Sequence, residues 1–389
     1  MIKHVIGQAN LNGSQIPCSM DVRQEESGEI RTNVIWQFQV QHVPNPFTLE
    51  GVEQSFTIPM LNTTAWWSSF GQNGVNATLA QVEFAKPFVT ASTPITIRFW
   101  IRGVPTLLPY FYSLTQPSTL QAGKYSLQWT QPTSKPGMSH VVDIHSAIAY
   151  GDLEDLIETV KNICWLLSFA TGWLSDIGSI EAYDGQTLVF ERWNDVSATF
   201  STKPYVIPDR EIWLFVEQSY DKFVENVSKY SLRNLIHLGL LAKVAIHREI
   251  KSLIMADWLE VIRYHFAKNV GVPIGNYIYD ESADEFLHPI PKRTETRSTK
   301  RHSKNKRASF KEILVDMTTT NSISGWDDDF IDFRNSIIHT GGSNTPNLSQ
   351  RYRQLHHFCD RVVLALLDWN EHYVPIVQPA INRPHQFLR

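Results

Sequence analysis

Two hydrophobic rhythms divide this chain. Up to about residue 140, apolar residues recur at every second position. Val34, Trp36, Phe38 and Val40 alternate with Ile35, Gln37 and Gln39, and Ile95, Ile97, Phe99 and Ile101 alternate with Thr96, Arg98, Trp100 and Arg102. A period of two sends successive side chains to opposite faces, so these runs predict strands with one face on a core and a more polar face outward. Turn-forming clusters such as Asn45-Pro46 and Gly71-Gln72-Asn73-Gly74 separate the runs. Short strands punctuated this way predict a β-rich, sandwich-like domain over residues 1–140.

The period then lengthens. Leu153, Leu156, Ile157, Val160, Ile163, Cys164 and Leu167 fall at helical spacing, with Gly172 placed to end the helix as a left-handed cap. Tyr183-Asp184-Gly185-Gln186 sits between Ile180 and Leu188-Val189-Phe190, a hairpin signal. Residues 141–208 therefore read as a connecting segment of helix plus hairpin. Beyond them the pattern is helical. Trp213, Phe215, Val216, Tyr220 and Phe223 form one stripe. Leu235, Ile236, Leu240, Val244, Ile250, Leu253, Ile254, Trp258, Val261 and Ile262 supply one long helix or two short ones, and Leu348 to Leu367 the last. The prediction is an α+β multidomain chain whose helical domain covers residues 209–378, with no repeat of fixed period.

One stretch breaks the helical pattern. Lys292, Arg293, Arg297, Lys300, Arg301, Lys304, Lys306 and Arg307 give eight cations against one Glu, with Ser and Thr between them. Such a stretch reads as a mobile loop over 292–308. It is either a solvated linker or an electrostatic funnel that draws RNA inward. The whole chain is not basic: its net charge is -4 and its pI about 6.4. Nucleic acid would therefore be met by a local patch.

The 389 residues suggest two or three domains, and 42% apolar with 19% charged residues is ordinary for a globular chain. Three distant cysteines, Cys18, Cys164 and Cys359, argue for a reducing compartment over a disulfide framework. No secretory run follows Met1, and no stretch approaches the roughly 20 apolar residues of a spanning helix. The expectation is a cytoplasmic protein with no membrane contact, in which Asn62-Thr63-Thr64 is a chance sequon.

Candidate chemistry gathers at Arg334-Asn335-Ser336-Ile337-Ile338-His339, behind the acidic and aromatic lead-in Asp327 to Phe333 and ahead of Gly341-Gly342. Acidic residues suit a first helical turn and glycines a stop, so a helix is predicted from about Asp327 to His339, buried through Phe330, Phe333 and Ile337. Asn335 and His339, four apart, share a face. Arg334 lies roughly 140° from His339 around an ideal helix.

RNA cleavage needs a base for the 2′-hydroxyl, an acid for the leaving oxygen and a cation for the phosphorane. A His and an Arg can supply these roles without metal. The Arg-x4-His spacing alone is not specific: Arg297 to His302 and Arg351 to His356 share it, and after Arg233-Asn234 His237 comes one residue early. Only the central copy combines Asn after the Arg with a helix and a glycine stop.

This run resembles the motif of the HEPN superfamily, an Arg, a polar residue that is often Asn, and a His four to six residues after the Arg. The resemblance covers about residues 209–375. It implies an all-α bundle and a metal-independent endoribonuclease that acts as a homodimer, two motifs facing each other. By position Arg334, Asn335 and His339 carry over, with Asp332 as a supporting acid. Gly341 stands where one subgroup bears a Tyr that is modified, so that regulation is not implied. More loosely, the layout resembles large anti-phage abortive-infection proteins of the ApeA-like type. It implies a defence or toxin-like effector, RNA (tRNA included) as substrate, and a phage-derived or small-molecule trigger at the N-terminal domain.

Two alternatives stand beside it. One is a non-catalytic dimeric scaffold. The other is a β-sandwich ligand sensor, for which Trp66-Trp67 would be the stacking pair, although aromatics in β-rich domains more often fill cores. No cofactor or metal is expected. The chain has no Gly-rich phosphate loop, no His-Glu-x-x-His and no Gly-x-Ser-x-Gly, and the adjacent His356-His357 point to different helix faces.

Overall fold

The computed structural model describes residues 2–11, 14–36, 47–51, 55–58, 60–67, 73–79, 81–85, 89–103, 118–130, 138–196, 205–269, 277–280, 285–287, 308–340, 347–374 and 385–386. The fold is α+β. It divides into two compact units, Met1–Cys164 with Trp173–Phe200, and Trp165–Gly172 with Ser201–Arg389. Phe38, Val40, Asn45-Pro46, the basic residues Lys292 to Arg307 and Gly341-Gly342 lie outside the described residues.

Among the described residues the first unit has fourteen strands, β1 (Ile2–Leu11), β2 (Ser14–Gln24), β3 (Ile30–Trp36), β4 (Phe47–Gly51), β5 (Ser55–Ile58), β6 (Met60–Trp67), β7 (Asn73–Leu79), β8 (Gln81–Ala85), β9 (Pro94–Arg102), β10 (Ser118–Ala122), β11 (Tyr125–Thr130), β12 (His140–Ala149), β13 (Asp176–Asp184) and β14 (Thr187–Asn194). They pair in the order β10-β11-β12-β9-β13-β14-β8-β5-β4-β1-β2-β3-β7-β6. Among the described residues β5 and β8 meet through one pair, Ser55 with Ala85. That pair joins two seven-stranded antiparallel halves.

The alternation along β9 is realised. Ile95, Ile97, Phe99 and Ile101 are buried, while Arg98 on the other face pairs in register with Asp143 of β12, Nε to Oδ1 2.7 Å. Trp100 departs from the reading: the alternation puts it outward with Arg98, yet it is buried. Period two separates the faces of a strand, but it does not say how much of the second face is covered. The hairpin turns at Gly185, whose φ of +59 a side chain would resist. Its strands do not form a separate connector. β13 pairs with β9 and β14 with β8, so the hairpin completes the sheet.

His140 opens β12 with no exposed surface, its ring centre 6.3 Å from that of Trp129. Burial pushes the imidazole down to about 4. An unfolded His near 6.5 binds a proton that the folded one refuses, so stability is full above pH 6.5 and falls as pH drops towards 4. The loss should reach on the order of 3 kcal/mol at pH 4. Urea unfolding between pH 7 and 4 should show this slope and His140→Gln should flatten it; equal slopes would exclude His140 as the source.

Helix α1 (Leu153–Thr171) ends as its sequence predicts. Gly172 takes φ +71 and donates its N–H to Ser168 O at 3.0 Å. The second unit holds α2 (Ile212–Asn226), α3 (Leu232–Val244), α4 (Arg248–Asn269), α5 (Phe310–Thr320), α6 (Asp329–Thr340) and α7 (Leu348–Leu366). Side chains reaching backbone carbonyls join them. Trp258 Nε1 donates to Leu235 O (2.9 Å), Tyr352 Oη to Ala242 O (3.0 Å) and Asn226 Nδ2 to Leu366 O (2.7 Å).

The stripe from Leu235 to Ile262 proves to be two helices. The chain leaves helical geometry at Ala245, so the phase restarts. Met255, Trp258, Leu259 and Ile262 face the core, whereas Ile250 and Leu253, counted in the stripe, are 47% and 53% exposed.

Two polar features shape this unit. Asp360 of α7 is buried between Lys243 (Nζ to Oδ1, 3.8 Å) and His356 (Nδ1 to Oδ2, 3.4 Å), and His356 Nε2 donates to Gly239 O at 3.2 Å. Burial alone would push the Asp360 carboxyl up, but Lys243 and His356 outweigh it and hold the carboxyl below the usual range. The short hairpin β15 (Ile278–Asp280) with β16 (Glu285–Leu287) is tied to the approach to α5, where Ala308 donates its N–H to Phe286 O at 2.8 Å. Next to it, Ser309 and Glu312 close a capping box on α5.

Candidate active site on helix α6

Helix α6 begins two residues later and ends one later than the sequence suggests. Asp327 starts it, its Oδ1 accepting from the Asp329 N–H at 3.0 Å. Phe330, Phe333 and Ile337 are buried as expected, and Phe330 packs 5.3 Å from Phe358 of α7. That packing fixes the rotation of the helix. It leaves Arg334 and Asn335 half-buried at its flank and His339 exposed in its last turn.

Arg334 is held from three sides. Its Nη2 donates to Glu260 of α4, its Nη1 donates to Asn335 Oδ1 at 2.8 Å, and its guanidinium carbon lies 4.7 Å from the Phe310 ring centre on α5. Glu260 also accepts from Arg263 Nε at 3.0 Å, and Arg263 faces the same Phe310 ring at 5.4 Å. One carboxylate and one ring therefore order two guanidinium groups. An Arg carries five donors, and holding it rigid before a phosphate arrives removes the cost of ordering it at the moment of reaction. With Asn335 Oδ1 committed to Arg334, the amide N–H donors of Asn335 are turned away from it.

The structure brings Arg334 and Asn335 together but forms no hydrogen bond from either to His339 among the described residues. His339 makes no hydrogen bond or ion pair there either, and its side chain is exposed. Asp332 is exposed and does not meet Arg334. Residues two apart on a helix do not face each other. The acid that does meet Arg334 is Glu260, 74 positions upstream, and the sequence held no signal for it. Asp328, in the acidic lead-in, pairs with Lys311, Nζ to Oδ2 2.5 Å.

Of the two Arg-x4-His decoys, the first lies outside the described residues. In the second, His356 belongs to the buried Asp360 cluster, while Arg351 reaches Asp329 at 3.8 Å. His357 stacks on Tyr373 with ring centres 5.6 Å apart, away from His356. All three cysteines are buried, and none of them forms a disulfide. Among the described residues no helix is long and apolar enough to cross a membrane.

Comparison with protein-family models, with curated proteins and with solved structures gives no match. The functional reading therefore rests on these residues.

Proposed function

We propose that this chain is a metal-independent endoribonuclease of HEPN type, acting in the cytoplasm as a homodimer in anti-phage defence or as a toxin-like effector. The observation that supports this most is a pre-ordered, half-buried guanidinium, Arg334, on the same helix as an exposed imidazole, His339. On this reading Arg334 neutralises the phosphorane, His339 moves the proton and Asn335 orients the phosphate by its amide. The second unit is then the HEPN-like bundle. The first is a sandwich-like sensor for a phage-derived or small-molecule trigger. In sequence, the basic stretch Lys292 to Arg307 lies between Phe286 and Ala308, and on this reading its cations gather RNA.

The test is cleavage of total RNA and tRNA in EDTA by wild type and by Arg334→Ala, with the new ends mapped. Wild type should cut in chelator and leave cyclic-phosphate ends, and Arg334→Ala should not. Cutting that chelator abolishes, or 3′-hydroxyl products, would sink the mechanism.

A second reading has its own support. Glu260, Asn335 and Phe310 engage Arg334 as a structural clamp between α4, α5 and α6 would, which suits a non-catalytic dimeric scaffold. On that reading wild type cuts no RNA, and Arg334→Ala only lowers the melting temperature.

A further inference from the structure

From Arg334 a run of alternating cationic and aromatic side chains continues along α4. The Phe310 ring that carries Arg334 also carries Arg263 at 5.4 Å, and Arg263 lies 5.6 Å from Phe286. Phe286 in turn meets Tyr279 of β15 at 5.1 Å and Tyr264 of α4 at 5.8 Å, and these two tyrosines are 5.8 Å apart. Lys268 closes the run, its ammonium 5.2 Å from the Tyr264 ring and 5.3 Å from that of Tyr279. Glu260, Tyr264 and Lys268 recur every four residues, so they form one stripe about 12 Å long on an ideal helix.

Burial divides the labour within the run. Phe286 is 2% exposed and forms the floor. Arg263, Tyr264, Tyr279 and Phe310 are half-buried, and Lys268 is exposed. Rings and cations therefore share a surface that starts at Arg334. Cation–π pairs of this kind also stabilise folds, but these remain at a half-buried to exposed surface instead of closing over one another. A single-stranded polynucleotide needs this alternation, since each base offers a π-face to a ring and each phosphate a charge to a cation. A base can lie on a ring only when it is not paired in a duplex.

We propose that Tyr264 and Tyr279, with Lys268, form a nucleobase-stacking subsite that seats one or two unpaired nucleotides beside the phosphate bound at Arg334. The subsite rests on the ribonuclease reading for the position of that phosphate, but its own test is binding rather than cleavage.

The experiment uses the full chain with His339→Ala, so that RNA stays intact. Affinity is measured for an oligoadenylate, for an abasic oligomer of the same length and for the oligoadenylate in a duplex. Tyr264→Leu with Tyr279→Leu should weaken oligoadenylate roughly tenfold and leave the abasic oligomer unchanged. Tyr264→Phe with Tyr279→Phe, which keeps both rings, should bind as the parent does, and the duplex should bind more weakly than the single strand. Should the double leucine variant fail to fold, Tyr279→Leu alone carries the same comparison. Equal loss on both single strands, no loss on either, or no binding by the parent overturns the subsite. Base-dependent loss upholds the subsite even where the wild-type chain cuts no RNA, a result that removes the ribonuclease reading alone.

Discussion

His339→Ala is expected to slow RNA cleavage by a factor of about 10²–10⁴. Its folding stability should stay within about 0.5 kcal/mol of wild type. The two halves of this expectation come from different observations. The rate loss follows from the chemistry, because proton transfer by a positioned imidazole contributes that much and no other His shares α6. The unchanged stability follows from place: the side chain is exposed and has no partner among the described residues.

Arg334 is a less clean probe, since Arg334→Ala also removes the stack on Phe310 and leaves Glu260 facing Arg263 alone. Single-turnover cleavage and urea unfolding, run on the same His339→Ala preparation, decide the matter. Cutting at the wild-type rate would take His339 out of the mechanism. A rate loss matched by lost stability would reduce it to a structural residue.

Asp360→Ala should cost about 3–5 kcal/mol, the usual penalty for removing one partner of a buried ion pair. Lys243 keeps only 6% of its side chain exposed and His356 none, so neither recovers water when the carboxylate goes. Replacing the pair together, Lys243→Met with Asp360→Leu, removes the stranded charge as well and should restore more than half of the loss.

The pH dependence has a definite sign. The folded Asp360 carboxyl lies below its unfolded value. Its contribution is therefore full above the unfolded pKa, roughly 4, and disappears as pH falls through the lower folded value. The gap between wild type and Asp360→Ala should close in acid, while the His140 slope, common to both chains, cancels. A gap under about 1 kcal/mol at neutral pH, measured by urea unfolding, would show that the cluster does not depend on Asp360.

What the sequence disclosed was local. The alternation in β9, the turn at Gly185, the cap at Gly172 and the buried side of α6 each depend on neighbours within a few positions, and each is found where periodicity puts it. The hidden features depend on distant partners. Glu260 and Phe310 reach Arg334 from two other helices, and no pattern around Arg334 encodes that. Trp100 shows that strand period assigns a face without saying what covers it. Ile250 and Leu253 show that helical phase does not survive a break intact, since these two turned outward beyond Ala245 while Trp258 and Ile262 stayed buried. Arg334, Asn335 and His339 could thus be picked out in sequence as a helix end, whereas the environment that orders Arg334 could not.

The bond from Ala308 N–H to Phe286 O, at 2.8 Å, joins two points of the folded unit that are 22 positions apart in sequence. Closing a loop on a fixed pair of ends costs free energy that rises only with the logarithm of its length, about 0.6 kcal/mol per doubling. A longer connection between Phe286 and Ala308 would therefore add little to the cost of forming that bond. The bond holds β16 to the start of α5, and the rings of Phe286 and Phe310 thereby stay within reach of one guanidinium, Arg263.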